Sequence, residues 1–139
     1  MSRPRPEAGQ ASVVLIGALV VGLAFAGLAI DGARLFTARR DLQSVADSAA
    51  LAGASAIDEG HFRATAGSEV RLDATSARAA VDRVLQASGL PPTTQIDVIV
   101  EPDRVTVHLR RPVEMTFLRI TGMRAQDIGA SASASPQTG

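Results

Sequence analysis

Asp31 and Arg34 stand one helical turn apart, directly after Ala11–Ile30, a run that carries no charge. At i, i+3 on a helix the two side chains can pair on one face. A carboxylate at the edge of an apolar run can also lean toward headgroups or water. The pair reads as the mark of an interface; the alternative is that Asp31 meets a cation on a neighbouring subunit. Two other places have residue types suited to chemistry. His61 lies close to Asp58 and Glu59, but these three have no further ligand at helical or hairpin spacing, and solvated surface is the favoured reading over a metal cluster. His108 falls on the polar side of an alternating segment, with no partner that would make it a catalytic base.

The remaining signals exclude more than they assign. There is no Gly-x-Ser-x-Gly elbow, no phosphate loop and no His-Glu-x-x-His, so no enzyme, no cofactor and no metal site is expected. With no cysteine the chain has neither a disulfide nor a thiolate nucleophile. Fourteen basic residues, all arginine, balance fourteen acidic ones. A net charge of zero gives no basic footprint for nucleic acid, and none is expected as a partner.

The elements that would position these residues begin with Ala11–Ile30, whose length at 1.5 Å per residue matches the roughly 30 Å hydrocarbon layer of a bilayer. An uncleaved transmembrane span is expected. The competing reading is a secretory signal, with Arg3 and Arg5 as its basic start and Ala24-Phe25-Ala26 as a cleavage site. The apolar region of a signal is only about 7–15 residues long, and here the helical pattern runs on past it. Small residues at Ala18, Gly22, Ala26 and Ala29/Ala33 fall close to i, i+4 spacing and would let another membrane helix approach closely; the alternative is that glycine and alanine are simply common in membrane helices. Beyond the span, Leu35, Ala38, Leu42, Val45, Ala49, Ala52 and Ala56 form a stripe, with Ala46 beside it and charged or polar residues off it. One helix from Ala11 to Ile57, about 70 Å long, is the expectation, ended by Asp58-Glu59-Gly60. Alanine keeps its outer half rigid and narrow, so that Leu42, Val45, Ala46, Ala49 and Ala52 can pack on another helix, on the chain's own C-terminal part, or on each at different positions.

That C-terminal part reads as a small head. Residues 61–72 read as a loop. Asp73 caps a second helix carrying Ala77, Ala80, Val81, Val84 and Leu85 on one face, stopped by Gly89 and Pro91-Pro92. Ile96–Val100 and an alternating segment from Val105 to Leu109, joined at Glu101-Pro102-Asp103-Arg104, read as a hairpin closed by Arg110-Arg111-Pro112. Val113–Gly122 is open between a short helix and a strand, with the helix preferred. Ile128, Ala130, Ala132 and Ala134 read as a last strand of tiny side chains or as a disordered tail. The expected fold is α+β: the long N-terminal helix packs with a second helix on a small antiparallel three-stranded sheet. Its parts are a short cytoplasmic N-terminus over 1–10, the span over 11–30, the outer helix over 31–59, the head over 60–134 and a tail over 135–139.

Gly9-Gln10-Ala11, the apolar span, Asp31 and Arg34, then Leu42-Gln43, Ala46-Asp47 and Ala49-Ala50-Leu51-Ala52 together resemble the N-terminal signature of TadE/TadG-like proteins of bacterial Flp (Tad) pilus assembly. The resemblance covers about a third of the chain. It implies a single-pass protein of the bacterial inner membrane with its C-terminal domain outside the cytoplasm, whose partners are the lipid bilayer, other membrane proteins of the pilus or secretion apparatus, and further copies of itself. It implies a role as minor pilin or assembly factor of an adhesive pilus. Processed pilins of such systems carry a glutamate five residues after the cleavage point. If Gly9 were that point, Val14 stands there, so the chain looks more like the unprocessed TadG-type branch. A second functional reading is a membrane-tethered binding module, whose head recognises a surface ligand or envelope protein through residues such as Arg110, Arg111, Arg119 and Arg124.

Overall fold

The computed structural model describes residues 7–66 and 68–136. Arg3 and Arg5, and the last residues of the expected tail, lie outside them. The architecture is α+β. Helix α1, Glu7–Ala54, is followed by a short α2, Glu59–Ala64, and by α3, Ala74–Ala87. Strands β1, Gln95–Glu101, β2, Arg104–Glu114, and β3, Ala125–Ala134, form an antiparallel sheet in the order β1-β2-β3.

Alternation along the strands places Ile96, Val98 and Val100 opposite Leu109, Val107 and Val105, and these opposite Ala130, Ala132 and Ala134. Side chains two apart point to the same side of a strand, so these three rows make one apolar face. The outer half of α1 and helix α3 cover it. Leu42, Ala46, Ala49 and Ala50 of α1 join Ala77, Val81 and Leu85 of α3 and the central valines of β2 in one core. The other face carries Asp97, His108 and Ser131 in register and is solvated. Each sheet edge is met by a helix side chain: Gln43 donates to the Ser131 carbonyl at 2.9 Å, and Arg78 to the Val98 carbonyl at 3.2 Å. One carbonyl on each edge, which could otherwise help template pairing with another chain, is thereby occupied.

The alanines follow from distance. A Cβ built on Gly53 would lie 2.8 Å from a Val81 methyl and 3.0 Å from a Val105 methyl, so α1 is wedged between α3 and the sheet with no room for a side chain there. The buried line of α1 therefore runs Leu42, Ala46, Ala49, Ala50 and Gly53. The expected stripe sits partly off this line: Val45, Ala52 and Ala56 are only half-buried.

Three local expectations need correction. Helix α1 ends at Ala54 and not at Ile57, because Ile57 leaves the helix to bridge Leu72. The segment read as a loop holds α2, whose N-terminus is capped by Asp58 accepting from the His61 amide at 2.9 Å. Pro112 does not end its strand. Strand β1 stops pairing at Arg110, so the side of β2 left without a neighbour tolerates a residue with no N–H, and β2 continues to Glu114. Val113 and Glu114 are thus strand, and only Leu118–Thr121 forms a single 3-10 turn. Asp73 caps α3 as expected, accepting from the Ser76 amide at 2.7 Å.

Candidate functional site: the long helix and the loop clamped to it

Strand β2 runs antiparallel to α1 from the Val105–Gly53 contact. The nine residue steps from Val105 to Glu114, where β2 ends, carry the chain back along the helix by about 30 Å, close to the rise of about 20 helical residues. The connection between β2 and β3, Met115–Arg124, therefore meets α1 at residues 27–34. Here the Asp31 carboxylate accepts three consecutive amides: Thr116 at 3.1 Å on one oxygen, Phe117 and Leu118 at 2.8 Å each on the other. Asp31 is buried, with 1% of its surface exposed. Its role is that of a cap supplied from a distant element: the 3-10 turn has Phe117 at its N-cap with no side-chain cap of its own, and orphan amides at a helix start need an acceptor.

One turn on, Arg34 donates to the Thr116 hydroxyl at 2.5 Å. Asp31 and Arg34 thus converge on the same loop, and the ion pairs formed among the described residues do not join them to each other. One turn back, the Phe117 ring covers Gly27; a Cβ built there would fall 2.7 Å from the ring. Gly27, Asp31 and Arg34, at i, i+4 and i+7, form a single face. Arg111 extends the contact toward the core, donating to the Ala38 carbonyl at 3.4 Å.

The other sequence-derived residues fall into two groups. Leu42, Ala46 and Ala49 are fully buried inside the head's own core, Val45 borders it, and Ala52 is half-buried. Ala18, Gly22 and Ala26 lie in the stretch Ala11–Ala26, every residue of which is exposed. Gly27 was not among the expected packing residues. Its signal in the sequence was only a place in the i, i+4 series with Asp31, and many glycines have such a place by chance. His61 donates through Nε2 to the Glu69 carboxylate at 3.1 Å on the loop after α2, and His108 lines an open groove with Arg39, Gln43, Ile96 and Arg110.

Among the described residues one helix is long and apolar enough to cross a membrane, and the relevant window is almost entirely unburied. No curated protein and no solved structure matches the chain. Residues 9–56 match the family model described as putative Flp pilus-assembly TadE/G-like. This stretch, about a third of the chain, holds the apolar helix, Asp31 and Arg34, and over it the chain is similar to putative Flp pilus-assembly TadE/G-like proteins.

Proposed function

We propose that the protein is a membrane-anchored, pilin-like structural or assembly component of a Flp (Tad) type pilus or related secretion apparatus, and that it acts through helix-helix packing in the membrane. The observation that carries this reading is the division of α1. From Gly27 onward one face of it, through Gly27, Asp31, Leu42, Ala46, Ala49, Ala50 and Gly53, is buried against the chain's own head, whereas Ala18, Gly22 and Ala26 are exposed among the described residues. In lipid, close packing between small residues is what draws helices together, so this free face is the part suited to a partner. The partner is another membrane protein of the apparatus or a second copy. The protein sits in the inner membrane with its head outside the cytoplasm, in keeping with the family.

The natural chain has no cysteine, which makes single-cysteine crosslinking in native membranes clean. Ala18→Cys and Gly22→Cys are expected to crosslink to a pilus component or a second copy, and Val20→Cys, on the opposite side of the helix, much less. Equal crosslinking from all three positions, or from none, would refute helix packing on this face.

A further inference from the structure

We propose that the loop Met115–Arg124 is a second membrane contact, dipping its apolar tip into the outer leaflet boundary of the bilayer that α1 crosses. The inference rests on the reading of Ala11–Ile30 as a span. Phe117 packs on Gly27, which lies three residues inside that span, or about 5 Å below its end at the helical rise. Asp31, the first residue after the span, holds the backbone of residues 116–118. The loop is thus fixed at the level where hydrocarbon gives way to headgroups.

Its side chains fit that level. Ile120 is 88% exposed and Met123 56% exposed, with Phe117 also partly open, an unusual cluster for a surface facing water. Arg119 and Arg124 accompany them, and residues 115–124 contain no acidic side chain. Apolar tips flanked by arginines suit an interface whose inner side is hydrocarbon and whose outer side bears anionic phosphates. The three amides at the base of the loop have their acceptor in Asp31, so approach to lipid leaves them satisfied. The occupant is the same bilayer because Phe117, seated on Gly27, joins the loop to the part of α1 where Leu28 and Ile30 are exposed.

The chain contains no tryptophan or tyrosine, so a single introduced tryptophan reports on one place. The full chain would be reconstituted in vesicles of phosphatidylcholine and phosphatidylglycerol as three variants: Ile120→Trp at the loop tip, Val20→Trp within the span, and Ile99→Trp on the solvated face of the sheet. The expected result for Ile120→Trp is emission shifted to shorter wavelength and strongly quenched by lipids brominated near the headgroup end of the chain. Val20→Trp should be quenched best by lipids brominated deeper, and Ile99→Trp by neither. Met123→Trp repeats the loop measurement at a second position in case the first variant perturbs the turn. Loop variants that remain unquenched while Val20→Trp is quenched would overturn the loop contact and leave the anchor standing. Failure of Val20→Trp to be quenched would remove the anchor and the loop contact together. A shortened wavelength at the loop without lipid quenching would overturn the proposal in favour of a second protein chain covering the tip.

Discussion

Phe117 packs against the backbone of Gly27, two residues ninety positions apart in sequence, at a separation that leaves no room for a Cβ. This contact ties the far end of the sheet to the C-terminal end of the apolar half of α1. It explains why the head lies along the helix instead of standing at its tip.

Gly27→Leu should therefore release the loop. The side chain cannot be housed without displacing the Phe117 ring, and overpacking of this kind costs roughly 1–3 kcal/mol. Hydrogen exchange of the full chain in detergent should show faster exchange across residues 115–121, with the core amides of β2 near Val105 and Val107 unchanged.

Replacing Asp31 by Asn exchanges one acceptor oxygen for a donor group, which cannot serve three converging N–H groups. The amides of Thr116, Phe117 and Leu118 should lose protection together. Arg34→Ala removes only the bond to the Thr116 hydroxyl at an exposed position, and should have a smaller effect, below about 1 kcal/mol. If the two variants expose the loop equally, the carboxylate is not its principal tether.

Two glycines of α1 should respond in opposite directions to alanine. At Gly32 an added Cβ meets nothing, and the gain in helix propensity is up to about 1 kcal/mol. At Gly53 the Cβ would meet Val81 and Val105 below ordinary contact distance, at a cost of about 1–3 kcal/mol that exceeds the gain. Leu42→Ala, at a residue 1% exposed, should cost about 2–5 kcal/mol. Urea or thermal unfolding in detergent would rank the three.

Asp73 offers a test by pH. The Ser76 amide is the main cause holding its carboxyl below the ordinary carboxylate value. A lowered folded value means that the unfolded chain binds the proton more readily, so the contribution to stability is present above the ordinary Asp range and is lost as pH falls through the lowered value. Asp73→Ser keeps a cap but removes the titration. The stability difference between the natural chain and this variant should therefore narrow on acidification. A constant difference would show that the cap acts independently of charge.

The sequence by itself determined the elements whose information is local. Uncharged length defined the apolar half of α1, alternation from Val105 to Leu109 defined β2 and its apolar face, and Asp73 announced α3 because capping involves residues only three apart. Asp31 and Arg34 were likewise legible as the site to watch. Their partners were not, since an i, i+3 spacing fits an ion pair as well as it fits two side chains reaching one loop. The phase of the alanine line was also hidden, because Ala46, Ala49, Ala50 and Ala52 offer almost the same apolar surface to any face, and only wedging between Val81 and Val105 selects Gly53. Strand continuation through Pro112 depended on where β1 stops, a property of another segment. The tertiary structure decided above all that β2 runs back along α1 far enough for Thr116, Phe117 and Leu118 to reach Asp31. That outcome depends on the match between strand and helix lengths in three dimensions, which no local pattern records.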